Sequence, residues 1–347
     1  MKVLVTGGAG YIGSHTCLDL VARGHEVVIV DSFANSSPMV VPRLEELSGC
    51  RLLCHQLDVR DEAALTELLA EQRCDAVIHF AALRAVGESC EQPLEYFSNN
   101  VGGSVSLLRA MCAAGVTKLI FSSSCTVYGA PSSAPVNESA PLRVTNPYGR
   151  SKLMVEEMLG DLALAEAKFR YASLRYFNPV GAHPSGRIGE EPLGTPTSLM
   201  PLVCQVAAGR RNQLKVYGGD WPTPDGTCIR DYLHVMDVAR AHVSALEYLA
   251  TRDRSLTVNL GTGCGASVLE LIGAFERASG KAVPHEIVGR RNGDVAAVWA
   301  DPSLALRELG WTAEMDLEAM CRDAWRWQCE NPDGFCDNVL GTVADAS

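Results

Sequence analysis

The run Val3-Leu4-Val5-Thr6-Gly7-Gly8-Ala9-Gly10-Tyr11-Ile12-Gly13 limits what this chain can fold into more than any other stretch. It satisfies G-x-G-x-x-G through Gly8, Gly10 and Gly13, and it also spaces glycines at Gly7, Gly10 and Gly13. A β-prone run enters the loop and a helical pattern leaves it, so backbone N–H groups and a helix N-terminus converge where a pyrophosphate can sit. A tight glycine turn without ligand would match the same spacing. Asp31 separates the two readings: it ends the next β-prone run eighteen positions after Gly13, where a carboxylate can take both hydroxyls of a ribose. The same carboxylate repels a 2′-phosphate, which favours NAD over NADP.

Behind the loop two periods alternate. Short apolar runs at residues 3–5, 27–30, 76–80 and 119–122 suit strands buried on both faces, and helical stretches fill 11–23, 42–47, 62–71 and 93–114. A helix at 146–168 feeds another strand at 171–176. This order predicts an α/β fold with a doubly wound, parallel, Rossmann-type sheet. After Tyr176 the texture changes, because 178–196 and 217–226 are rich in Pro and Gly, lack an apolar period and read as loops. Helices near 198–208, 235–250, 267–278 and 317–327, with strands near 214–217 and 257–260, make a smaller C-terminal α/β lobe.

Composition removes several function classes. With 30 basic against 41 acidic residues the formal charge is −11, which opposes a polyphosphate backbone, so no nucleic-acid partner is expected. Thirteen cysteines, none in a C-x-x-C pair, read as reduced thiols of a cytoplasmic protein. No apolar run approaches the ~18–20 residues of a membrane span, and the apolar start is too short for a signal sequence. Cys and His show no zinc spacing, so no metal is expected.

Tyr148-Gly149-Arg150-Ser151-Lys152 carries the second motif. On a helix, positions four apart share a face, so the Lys152 ammonium can lie beside the Tyr148 ring and favour its phenolate. Upstream, Ser122-Ser123-Ser124 puts hydroxyls at the carboxyl end of a central strand, although serines there are also ordinary turn formers. A second glycine cluster, Gly261 to Gly265, lacks both the spacing and the acid and reads as a tight turn before a helix capped by Ser267.

Together these features resemble the extended short-chain dehydrogenase/reductase superfamily. Longer strings narrow the likeness to its nucleotide-sugar epimerases over residues 1 to about 335: Val77-Ile78-His79-Phe80-Ala81, Ala85-Val86-Gly87-Glu88-Ser89, Thr126-Val127-Tyr128-Gly129, Leu174 to Ala182 and Arg230-Asp231-Tyr232-Leu233-His234-Val235. The resemblance implies an enzyme that interconverts UDP-hexoses epimeric at C4′ by NAD-mediated oxidation, rotation of the 4-keto sugar and re-reduction. It assigns catalysis to Tyr148, Lys152 and Ser124. It places Gly7, Gly10, Tyr11, Ile12, Gly13 and Asp31 around the cofactor, with Asn35, Asp58, Phe80, Ala81, Arg84 and Asn99, and with Ser122, Tyr148, Lys152 and Phe177. It places Ser124, Asn178, Ser198, Leu199, Lys215, Val216 and Tyr217 around the UDP-sugar, with Arg230, Arg291, Asp294 and Val298. It also implies an NAD domain over 1–177 with the 234–250 helix returning to it, a nucleotide-sugar lobe over 178–335, a flexible tail over 336–347 and a homodimer built on the helices at 93–114 and 146–168.

Three departures from the family stand out. Arg84 replaces a frequent Lys, Ser198 replaces an Asn, and Val298 occupies a position that is bulky in some relatives and small in those taking N-acetylated sugars. Val298 therefore raises the expectation of UDP-N-acetylglucosamine epimerisation, against ordinary packing. Two rival readings share the fold. A nucleotide-sugar 4,6-dehydratase would need an Asp-Glu pair where this chain has Cys125-Thr126, and an NAD-sensing regulator would have no use for Tyr148 and Lys152.

Overall fold

The computed structural model describes residues 1–335 except 132, 192, 193, 195 and 292; the predicted tail, 336–347, lies outside the described residues. Strands β1 (Lys2–Thr6), β2 (Glu26–Asp31), β3 (Leu53–Gln56), β4 (Ala76–His79), β5 (Lys118–Ser124) and β6 (Arg170–Tyr176) alternate with helices α1 (Tyr11–Ala22), α2 (Val40–Ser48), α3 (Glu62–Gln72), α4 (Val86–Glu91), α5 (Pro93–Tyr96), α6 (Gly103–Ala114) and α7 (Pro147–Ala165). The remainder runs β7 (Asn178–Val180), α8 (Leu199–Ala207), β8 (Leu214–Tyr217), β9 (Ile229–Arg230), β10 (Tyr232–His234), α9 (Val235–Thr251), β11 (Leu256–Leu260), β12 (Ala266–Ser267), α10 (Val268–Ser279), β13 (His285–Val288), β14 (Ala297–Val298), α11 (Ser303–Leu309) and α12 (Leu317–Glu330).

Seven parallel strands form one sheet in the order β11-β6-β5-β4-β1-β2-β3. The order reverses between β1 and β4, and a ligand crevice opens at such a reversal, outside the carboxyl ends of the strands. Val3, Val5, Ile29 and Ile78 pack one face against α1 and α9; Leu4, Val28, Val77 and Phe121 pack the other against α3, α6 and α7. Both faces are covered, which is why the strands read as continuous apolar runs rather than alternating ones. α9, although late in the chain, packs on α1. A third core gathers α8, α10 and α12 around Met200, Phe275 and Met320. The late lobe's strands are short: β7 pairs β10, β8 pairs β13, and β9 lies between β12 and β14.

Two sequence expectations need correction. The stretch 93–114 is not one helix: a π-turn at Phe97–Gly102 separates α5 from α6. Within it the Asn100 side chain takes Leu83 N (2.8 Å) and donates to Leu83 O (2.9 Å) and Ser151 Oγ (3.0 Å), partners distant in sequence that reward the distorted turn. The stretch 178–196 is not all loop, since Asn178–Val180 pairs in register with Tyr232–His234. By contrast, Ser267 caps α10 as expected, accepting from Glu270 N (3.0 Å) while Glu270 returns a bond to Ser267 N (2.7 Å).

Candidate active site

The β1–α1 loop lies at the carboxyl edge, pressed onto its neighbours. Gly7 has φ +69° and donates its N–H to Val30 O (2.7 Å), and a Cβ there would stand 2.7 Å from Ala81 N. At Gly13 a Cβ would meet the Gly7 carbonyl at 2.2 Å, so the helix start and the loop can touch only without side chains. α1 begins after Gly10 with no side-chain cap, leaving its first-turn N–H groups for a ligand. Asp31 is fixed at the end of β2: Oδ2 accepts from Ala9 N (2.9 Å), and Oδ1 accepts from Phe33 N (3.0 Å) and Ser36 Oγ (2.8 Å). A side-chain-free cradle, an uncapped helix start and a carboxylate beside them fit the pyrophosphate and a ribose of NAD.

Around this loop the structure gathers Gly7, Gly10, Tyr11, Ile12, Gly13 and Asp31 with Phe80 and Ala81, which leave β4. Phe80 packs against His242 with ring centroids 4.6 Å apart and planes tilted by 45°, and the Tyr11 hydroxyl crosses to Gly181 O at 2.7 Å. Two further expected cofactor residues adjoin residues that bond Asp31: Asn35 precedes Ser36, and Asp58 follows Leu57, whose N–H donates to Asp31 O (3.0 Å). Asn35 is exposed on the loop after β2, and Asp58 holds the Arg60 guanidinium (2.6 Å), which keeps its carboxyl below the usual range. Asn99 sits in the π-turn and donates to Asn100 Oδ1 at 3.0 Å.

The reactive set lies at the end of β5. Lys152 Nζ donates to Ser122 O at 2.8 Å and lies 5.0 Å from the Phe121 ring centroid and 5.9 Å from that of Tyr148. The Ser122 hydroxyl bonds Tyr176 OH. Ser124 Oγ accepts from Thr126 N (3.2 Å) and Thr126 Oγ1 (3.0 Å). Burial pushes the Tyr148 phenol up to about 12, while the Ser124 hydroxyl and the Arg84 guanidinium pull it down. Burial brings the Lys152 ammonium down to about 7, and Glu156 opposes that fall. Arg84 leaves β4 and reaches over to the other lobe, with Nη2 2.8 Å from Glu190 Oε1 and Nη1 3.4 Å from Ser198 Oγ.

Facing this set, Arg230 Nη1 donates to Val295 O (2.8 Å), and Asp294 draws both Arg230 (3.6 Å) and Arg291 (3.0 Å). Arg291 also lies over the Tyr217 ring at 5.4 Å, so these four residues form one basic corner. Lys215 is exposed, Val216 is buried in the α8–α10–α12 core, Leu199 opens α8, and Asn178 N bonds Asp231 O (3.0 Å). Phe177 and Val298 share a small apolar cluster with Tyr128 and Ala300, and Cys125 packs against it. Residue reading alone passed over Asn100, Glu156, Arg175 and Tyr176; for Glu156 a signal existed in the four-residue step that continues Tyr148 and Lys152.

A buried Ser-Tyr-Lys set beside a dinucleotide loop places the chain among NAD-dependent enzymes on the extended short-chain dehydrogenase/reductase fold. It belongs to the NAD dependent epimerase/dehydratase family, which it matches over residues 3–261. It is 52% identical to the UDP-glucose 4-epimerase of Bacillus subtilis over 335 residues, 96% of this chain and 99% of that one. It is also 52% identical to that of Mus musculus over 341 residues, 96% of this chain and 98% of that one. Among solved structures, a UDP-glucose-4-epimerase from Stenotrophomonas maltophila with bound NAD and formylated UDP-arabinopyranose superposes with a TM-score of 0.94 at 56% identity, covering 96% of this chain and 99% of that one. One from Bifidobacterium longum in complex with NAD+ and UDP gives 0.92 at 47% identity, covering 96% and 100%.

Proposed function

We propose that this protein is an isomerase that interconverts UDP-glucose and UDP-galactose by oxidation at C4′, rotation of the 4-keto sugar and re-reduction from the opposite face. The observation that carries this reading is the convergence of Tyr148, Lys152 and Ser124 at the end of β5, beside the glycine loop. The glycine loop and Asp31 would hold NAD, which would supply the hydride acceptor and donor for C4′. Tyr148 takes the 4′-hydroxyl proton and returns it; Lys152 and Arg84 are the chain's own cations that favour its phenolate, and Ser124 bonds the 4′-oxygen. Arg230 and Arg291 hold the diphosphate with planar forks, their positive charge local in an acidic chain.

Elimination is disfavoured at the same site. Cys125 and Thr126 stand where a dehydratase needs its acids, and burial pushes the Cys125 thiol up to about 12. Purified protein incubated with UDP-galactose and no added NAD should yield UDP-glucose; an unchanged sugar, or a 4-keto-6-deoxy product, would sink the reading. Val298 pairs in register with Arg230, which supports a small wall beside the diphosphate corner and turnover of UDP-N-acetylgalactosamine in a parallel assay.

The reading extends to organisation. Residues 1–177 with α9 serve NAD, and 178–335 serve the nucleotide sugar. A homodimer through the α4–α7 side is supported by Leu94 at 78% exposure, together with Val86, Met154 and Leu164, all exposed. Sedimentation should give twice 37.2 kDa. A cytoplasmic setting is supported by the free thiols of every described cysteine.

A further inference from the structure

Beneath the reactive set lies an ion pair that the reaction does not consume. Glu156 and Arg175 have side chains only 7% and 6% exposed. Such a pair is a poor device for stability alone, because desolvating both charges offsets most of their attraction. Its contacts serve something more specific. Ser123 Oγ donates to Glu156 Oε1, so the carboxylate grips the residue before Ser124. Arg175 closes on Glu156 with Nε 2.9 Å from Oε1 and Nη2 2.5 Å from Oε2. Its remaining arm, Nη1, donates to Tyr128 OH at 3.0 Å, and Tyr128 donates to Asn259 Oδ1 at 2.7 Å. Tyr128 ends the 3₁₀ turn Cys125–Tyr128 that follows β5. One ion pair therefore holds the strand-to-turn segment at 123 and at 128, on either side of Ser124.

The same carboxylate lies one turn beyond Lys152 on α7. The other groups around the ammonium are Tyr148 on the same helix, the Ser122 carbonyl and Phe121 ring on β5, and His79 on β4, with Arg175 and Tyr176 on β6 behind Glu156 and Ser122. Glu156 is the carboxylate in this shell.

We propose that Glu156 and Arg175 are positioning residues: the pair clamps the segment that carries Ser124, and the Glu156 carboxylate keeps Lys152 an ammonium. The proposal rests on the epimerase reading for its kinetic readout, and three variants separate the two functions of the pair. E156Q keeps shape and removes charge, E156D keeps charge, and R175K keeps charge but loses the arm to Tyr128. In E156Q the alkaline limb of the kcat profile and the Lys152 ¹³Cε titration, identified by its absence in K152M, both move to lower pH by about one unit. E156D returns both toward wild type. R175K lowers kcat about tenfold with the KM for UDP-galactose within about twofold, and its alkaline limb does not move. A Lys152 midpoint in E156Q equal to wild type overturns the charge role, and an R175K variant at wild-type kcat overturns the clamp. Wild-type protein that leaves UDP-galactose unchanged sinks the epimerase reading instead, while the Lys152 midpoint still decides the charge role. Should E156Q not fold because it leaves buried Arg175 unpaired, the double variant E156Q/R175M, which removes both charges, carries the Lys152 midpoint, and R175K still decides the clamp.

Discussion

Tyr148 and Lys152 bring opposite electrostatic costs to the same buried space. Burial disfavours the phenolate of one and the ammonium of the other, moving their pKa values to about 12 and about 7. Lys152 is a cation one helical turn from the phenol and 5.9 Å from its ring centroid, so the two are expected to work as a unit and losing one member to cost nearly the whole effect. Tyr148→Phe is therefore expected to lower kcat by about 10³-fold, the middle of the ~10²–10⁴ range for a positioned acid–base group. Its ring still fits the pocket, and the glycine loop and Asp31 are untouched. Protein of this variant should release as much nicotinamide on denaturation as wild type, and an active Tyr148→Phe would remove Tyr148 from the reaction. Lys152 was legible from spacing, because a four-residue step on a helix is a local rule. Glu156 continues the same four-residue step, but its partner Arg175 was not legible: an arginine in a strand is read as solvated until the fold brings β6 under α7.

At the scale of elements, legibility follows length and locality. The strands buried on both faces and the helices between them announce themselves through continuous apolar runs and helical periods. The break at Phe97–Gly102 does not, because its reward comes from Leu83 and Ser151, which the chain reaches only once β4 and α7 are in place. The two-residue strands β9, β12 and β14 carry no period at all; their register depends on distant partners, as with Val298 and Ala266 on either side of Arg230, and Ala300 N bonds Asp231 Oδ2, 69 positions away, just beyond that pairing. The β1–α1 loop sits at the other extreme, fully local and fully legible. Its tolerance is also the smallest. A methyl group at position 13 would meet the Gly7 carbonyl at 2.2 Å, and that atom belongs to backbone that cannot rotate away. Gly13→Ala is expected to displace the loop from the helix start at a cost of about 1–3 kcal/mol. The variant should purify without nicotinamide and melt lower than wild type. Retention of the dinucleotide in Gly13→Ala would show that the cradle does not hold it.

On the scale of the whole molecule, the sheet's carboxyl edge and its flanks bury histidines that must stay neutral. His79 lies between Thr6 Oγ1 (2.7 Å) and Ser104 Oγ (3.0 Å), His15 bonds Tyr11 O (2.7 Å), and His242 bonds Val238 O (2.8 Å) under Phe80. Burial brings their pKa values to about 3, about 3 and about 4 respectively. In the unfolded chain each titrates near ~6.5, so below that pH the unfolded state binds protons that the native state refuses. The stability these rings supply is complete above about pH 6.5 and drains away as the pH falls. From pH 7 to 5 the loss is about 2 kcal/mol per ring, or about 6 kcal/mol for three, as the slope rises toward ~1.36 kcal/mol per unit. That is comparable with the ~5–15 kcal/mol of a typical domain. The carboxylates that burial lifts, Asp19, Glu138, Glu191 and Asp231, act in the opposite sense, binding protons more readily in the native state as the carboxylate range is approached. The histidine effect is therefore read above about pH 5. The melting temperature should fall steeply between pH 7 and 5, with these three rings contributing nearly three protons to the uptake on unfolding at the lower end. His242→Phe, which keeps a ring against Phe80 and Tyr176, should remove about a third of that dependence. A melting temperature that stays level from pH 7 to 5 would mean that these rings accept protons in place, and that the core around the site opens more readily than its packing indicates.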